Sequence, residues 1–113
     1  MAPPPTISAI LVTWNRRDLL LSAIHSLVRQ EYPYLEIVVV DNASTDDTEG
    51  VLANLPFPVR YVRNNRNLGA SVARNQGVRV SGGELLLFMD SDAELMTRGA
   101  LLFLAKRLQK DEG

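Results

Sequence analysis

Four short apolar runs, separated by stretches of helical period, restrict this 113-residue chain to a narrow set of folds. The runs are Ile7 to Thr13, Leu35 to Val40, Val59 to Arg63 and Leu85 to Met89. The second and fourth scarcely alternate with polar residues, a pattern that predicts parallel strands covered on both faces. The third carries Arg60 and Arg63 and predicts an edge strand. Between the runs, Leu19, Leu20, Ala23, Ile24, Leu27 and Val28 form one helical stripe, with Asn15 as its expected N-cap. Val51, Leu52 and Leu55 mark a second helix, capped by Ser44 or Thr45 and stopped by Pro56 and Pro58. Gly69, Ala70, Ala73 and Gly77 give a third helix one face of very small residues, which lets its backbone approach a sheet or a ligand closely. Thr97 opens a fourth, with Leu101, Leu104, Ala105 and Leu108 in its stripe.

Strands alternating with helices imply a parallel sheet with right-handed crossovers. The expected architecture is α/β: three layers, α/β/α, around a mainly parallel sheet of order 3-2-1-4. A proline-rich lead, residues 1–6, is expected to be disordered. Residues 7–113 form a single domain.

Composition removes several functions. The net charge of −1 offers no bulk attraction for nucleic acid. The absence of cysteine excludes thiolate catalysis, disulfides and cysteine zinc sites. His25 lies off the first helix's stripe with no partner at ligand spacing, and reads as a surface residue. The amino terminus lacks the pattern of a signal peptide and no apolar run reaches membrane-spanning length, so a cytoplasmic protein is expected.

The fourth run ends in Asp90-Ser91-Asp92. Two hard oxygen donors at the carboxyl end of a buried strand suit Mg²⁺ or Mn²⁺, whose usual companion is a diphosphate. The same pair could merely end the strand or cap a helix. The strand order supplies context, because it reverses between strands 1 and 4. Thr13 and Asn15, Asp41 and Asn42, and Asp90 and Asp92 then converge from three loops on one crevice. The first strand–helix turn has no glycine, so neither the dinucleotide fingerprint nor the P-loop is present. Leu95 stands where a calcium loop starting at Asp90 needs glycine. A phosphatase with an Asp-x-Asp nucleophile fits poorly, since that aspartate usually follows the first strand. A nucleotide- or partner-binding module without chemistry of its own stays open.

Four segments carry a resemblance. They are Val12-Thr13-Trp14-Asn15-Arg16, Glu36 through Asp46, Asn67-Leu68-Gly69 with Ala73-Arg74-Asn75-x-Gly77, and Asp90-Ser91-Asp92. In this order the chain resembles family 2 glycosyltransferases of the GT-A fold, a Rossmann-like nucleotide-diphospho-sugar transferase half. The resemblance implies a donor site for a UDP-, dTDP- or GDP-sugar and an inverting, metal-dependent transfer. By similarity, Thr13, Trp14, Asn15, Asp41 and Asn42 would hold the nucleoside. Trp14 would stack on the base. Asp90 would lie by the ribose and diphosphate, Arg74 would also belong to the nucleotide-sugar site, and Asp92 with Asp90 would coordinate Mg²⁺ or Mn²⁺. Many members carry aspartate where this chain has Asn42, and the Asp-Asn-x-Ser form resembles a rhamnosyltransferase-like branch. In the family, the acceptor site and catalytic base follow the Asp-x-Asp motif. The chain is therefore expected to be the donor-binding part, truncated before the acceptor half, with no catalytic residue of its own. A glycan or lipid-linked acceptor, a peripheral position at the inner membrane face, and self-association through an exposed strand edge complete the expectations.

Overall fold

The computed structural model describes residues 4–90, 101, 102 and 105–107. Its elements are β1 (Ile7–Thr13), α1 (Arg17–Val28), β2 (Leu35–Asp41), α2 (Thr48–Ala53), β3 (Arg60–Arg63), α3 (Ala70–Val80) and β4 (Leu85–Asp90). The four strands form one parallel sheet in the order β3-β2-β1-β4, as the alternation of elements requires. Thr13 pairs with Asp41, and Val12 with Asp90. The reversal of order therefore falls between β1 and β4, with the ends of β1, β2 and β4 side by side.

Alternate residues of each strand face opposite layers. On one face Ile7, Ala9, Leu11, Ile37, Val39 and Met89 pack with Leu20, Ala23, Ile24 and Leu27 of α1, Leu52 of α2, and Leu101 and Ala105. On the other, Ile10, Val38 and Val40 pack against Ala73 of α3. The small face of α3 is explained here. A methyl group on Gly77 would stand 2.5 Å from Ile10 Cγ2, so α3 lies closer to the sheet than any side chain at that position allows.

Four expectations need correction. Asn15 does not cap α1. Its φ of 50° puts it in the left-handed region, and the Arg17 amide is instead capped by Asp46 Oδ2 at 3.0 Å, a residue from the β2–α2 turn. Neither Ser44 nor Thr45 caps α2, whose N-cap is Asp47; Ser44 Oγ accepts from the Asn15 amide at 2.9 Å. The α1 stripe is narrower than its sequence, because Leu19 and Val28 are exposed while Ser26 is buried and bonded to the Ala23 carbonyl. Among the described residues, β4 is covered on one face only. α3 lies over β1 and β2, no described element covers the far face of β4, and Phe88 there is 50% exposed. The apolar run thus records one packed face and one open one.

The lead also differs from expectation over residues 4–6. Pro5 is buried and its carbonyl accepts from the Tyr32 hydroxyl, while the Thr6 carbonyl and hydroxyl accept from the amides of Leu85 and Glu84. At the amino end of the sheet, Glu36 accepts from Ser8 Oγ and the Gly82 amide and pairs with Arg60 at 3.1 Å. Burial pushes the Glu36 pKa up, but these hydrogen bonds and the arginine charge outweigh it and lower it overall. Leu101 and Ala105 of the fourth stripe are buried; Thr97, Leu104 and Leu108 lie outside the described residues.

Candidate functional site

An open cleft of about 480 Å³ lies at the carboxyl ends of β1, β2 and β4. It is lined by Val12, Trp14 and Arg16 at and after the end of β1, Asn42 after β2, Asn67, Gly69, Ala70 and Arg74 from the loop before α3 and its first turns, and Asp90 of β4. A second hollow of about 350 Å³ shares Val12, Arg74 and Asp90 with it and is floored by Ile10, Phe88 and Met89. The two hollows adjoin at these shared residues.

Each group is positioned by the fold. Trp14 follows the last residue of β1 and is 52% exposed, its ring available for stacking. Asp90 ends β4 and is exposed. Arg74 projects from the first turns of α3, whose amino end at Gly69 (φ 85°) has no side-chain cap. Its first amides and the helix dipole therefore favour an anion beside Arg74. Together the cleft offers a flat apolar ring, a cationic wall and a carboxylate, which suits a nucleoside followed by a diphosphate and a cation.

Of the residues expected there, Trp14, Asn42, Arg74 and Asp90 line the cleft. Thr13 and Asn15 do not line it. Thr13 is buried beside Asp41, and its Oγ1 has no hydrogen-bond partner among the described residues. Asn15 turns away: its Oδ1 accepts from the Thr45 amide at 2.7 Å, and it borders a separate surface hollow with Asp46. Asp41 is 0% exposed. Its Oδ1 accepts from the Ser44 amide, and its Oδ2 from the Tyr61 hydroxyl at 2.5 Å and Arg63 Nη1 at 3.3 Å. Burial and the bond to Asp41 push the Tyr61 phenol up to about 12. Asp92 lies outside the described residues. His25 is exposed and meets Phe57 edge to face.

Arg16 and Asn67 join the cleft without having been expected as site residues. A turn that follows a switch-point strand, and an asparagine-rich loop before a small-faced helix, were the available signals. Asn64 and Gln76 went unnoticed too. They are linked by a reciprocal amide pair, 2.8 Å in each direction, directly behind Asn42. No group of three or more metal-binding side chains occurs among the described residues. Asp90 is the one carboxylate among the described residues that line the cleft.

The order of motifs is decided by comparison. Residues 8–113 match the model of glycosyl transferase family 2. The chain belongs to that family. A Campylobacter jejuni GalNAc(5)-diNAcBac-PP-undecaprenol beta-1,3-glucosyltransferase is 38% identical over 107 residues, 91% of this chain and 34% of the relative. Among solved structures, S. aureus TarS 1-349 in complex with UDP-GlcNAc superposes with a TM-score of 0.80 at 26% identity, over 94% of this chain and 31% of that one. The mannosyltransferase PcManGT from Pyrobaculum calidifontis, in complex with GDP-Man and Mn²⁺, superposes at 0.78 with 28% identity, over 88% and 31%. The fold is thus that of GT-A glycosyltransferases. The chain spans between 22% and 39% of the length of the curated relatives it matches.

Proposed function

We propose that this chain carries the donor site of an inverting, metal-dependent glycosyltransferase that takes a UDP-, dTDP- or GDP-sugar. The observation that carries the reading is the joining of Trp14, Arg74, the uncapped amino end of α3 and Asp90 in one cleft at the β1/β4 switch point. Trp14 would stack on the base, with the Thr13 hydroxyl and Asp41 behind it. Arg74 and the α3 amides would hold the diphosphate. Asp90 and Asp92 fit Mg²⁺ or Mn²⁺ by donor chemistry; when bound, the cation neutralises charge on the departing nucleoside diphosphate. In the transfer, an acceptor oxygen would bond to the anomeric carbon as its bond to the diphosphate breaks, and the acceptor proton would pass to a carboxylate base. By the resemblance, that base and the acceptor site would follow the Asp-x-Asp motif. PcManGT bound to GDP-Man and Mn²⁺, and TarS bound to UDP-GlcNAc, support the donor class.

Trp14 is the sole tryptophan, so its fluorescence reports the cleft directly. UDP, dTDP or GDP is expected to quench it saturably in the presence of Mn²⁺, and adenosine alone is not. Unchanged emission up to millimolar nucleotide would count against the reading.

The relative named for an undecaprenol-linked glycan suggests a lipid-linked acceptor, and with it a cytoplasmic enzyme held peripherally at the inner membrane face. No described helix is long and apolar enough to cross a membrane. Salt-releasable cofractionation of the full protein with membranes checks this; purely soluble recovery at low salt would refute it. The open face of β4, with Leu86 and Phe88 exposed at the edge of the described sheet, is also expected to drive self-association of this chain. Light scattering should show dimers or larger species that Phe88→Glu disperses, and a monomer at high concentration would oppose it.

A further inference from the structure

Asn42 makes four kinds of contact in a small space. Its Oδ1 accepts from Asn64 Nδ2 at 2.9 Å and from the Leu68 amide at 3.3 Å, and its Nδ2 donates to the Gly69 carbonyl at 3.3 Å. The Asn42 amide itself donates to the Thr13 carbonyl at 2.9 Å. Asn64 spends its second amide hydrogen on Gln76 Oε1 and accepts from Gln76 Nε2, both at 2.8 Å, and the Asn64 backbone amide is held by the Asp41 carbonyl. Asn42 and Asn64 are both buried.

The orientations in this chain of amides follow from two backbone groups. The Leu68 N–H needs an acceptor, the Gly69 carbonyl, which accepts from the Ala73 amide at 3.2 Å, takes a second donor on its other lone pair, and both lie against one side chain. Only a short carboxamide carries both at that reach. With Asn42 oriented so, Asn64 must present its NH₂ to Asn42, which leaves its oxygen for Gln76. Asparagine is therefore built into the wall: a carboxylate would set an oxygen against the Gly69 carbonyl.

We propose that Asn42, Asn64 and Gln76 form a positioning network that presets the Asn67–Gly69 wall of the donor cleft and the start of α3, so that the wall grips nucleotide without first paying an ordering cost. The inference rests on the donor reading above. Asn42 faces the cleft, but Asn64 and Gln76 do not line it. They act on a ligand only through the loop.

The test therefore uses Asn64→Ala and Asn64→Asp in the full chain, with Mn²⁺ and UDP or GDP as probes. Nucleotide affinity is expected to fall about tenfold in Asn64→Ala. It should fall further in Asn64→Asp, where carboxylate oxygens would meet the oxygens of Asn42 and Gln76. Hydrogen exchange without nucleotide should quicken at Leu68 and Gly69 while β1 and β2 amides keep their protection. A variant that loses urea stability but keeps wild-type affinity would overturn the proposal, as would unchanged exchange at Leu68. If the wild-type chain binds none of these nucleotides, the donor reading fails and the positioning role falls with it; faster loop exchange in the variants would still identify the amides as the loop's anchor.

Discussion

Asp41→Ala is expected to lower the unfolding free energy by about 3 kcal/mol, because the carboxylate is buried and accepts three hydrogen bonds. The loss is not uniform across the partners. The Ser44 amide belongs to a buried residue and would be left unpaired, at roughly 1–3 kcal/mol. The Tyr61 hydroxyl is partly covered and would lose its partner. Arg63 is exposed and can turn to water, which keeps the total below the upper range for a broken buried ion pair. A domain of this size holds only about 5–15 kcal/mol in all, so the shift in the urea midpoint should be large. Asp41→Asn, which preserves shape and one acceptor, is expected to cost about 1 kcal/mol. A midpoint for Asp41→Ala within error of wild type would mean the three bonds carry no net stability.

The same cluster fixes an alkaline dependence. The Tyr61 phenol is raised to about 12, by burial and then by its bond to Asp41. The folded protein thus holds this proton more tightly than the unfolded chain, whose tyrosines titrate near 10. Its contribution is fully present below pH 10 and is lost as pH rises from 10 towards 12. In Asp41→Ala, where burial still raises the phenol but the bond to Asp41 is gone, the loss should again begin near pH 10 and be smaller.

Asp90→Ala is expected to weaken nucleotide binding about a hundredfold, about 2.7 kcal/mol, and to remove its dependence on Mn²⁺. Asp90 is exposed at the end of β4, in register with Val12, so stability should change little. That separation distinguishes it from Asp41, whose substitution destabilises the fold. Arg74→Ala should also weaken binding, while leaving the metal dependence in place, because it removes a charge on the diphosphate side alone. Equal metal dependence in wild type and Asp90→Ala would show that the cation is held elsewhere.

The sheet order was readable because the periodicity of each run and the handedness of crossovers leave few alternatives. With that order, the meeting of Trp14, Asn42 and Asp90 at one end of the sheet follows from strand length alone. Local signals misled where a distant residue took over the local task. Asn15 reads as a cap, yet the capping carboxylate comes from Asp46, across the fold, and Asn15 spends its oxygen on Thr45. Phe88 reads as core because an apolar run does not reveal which face a neighbour covers. The role of Asp41 was legible as a polar residue at a strand end, but not its enclosure, since Tyr61 and Arg63 reach it only through the β2–β3 pairing. The amide network was invisible for the same reason: Asn42, Asn64 and Gln76 are far apart in sequence, and only the parallel register brings them together.

Calorimetric titration of this chain with UDP and GDP, with Mn²⁺ and again with EDTA, tests the donor site most directly, alongside Asp90→Ala and Asp92→Ala. Saturable binding that needs Mn²⁺ and is lost in both variants is the expected result. Binding indifferent to both metal and aspartates, or no binding by the folded wild-type chain, would contradict it.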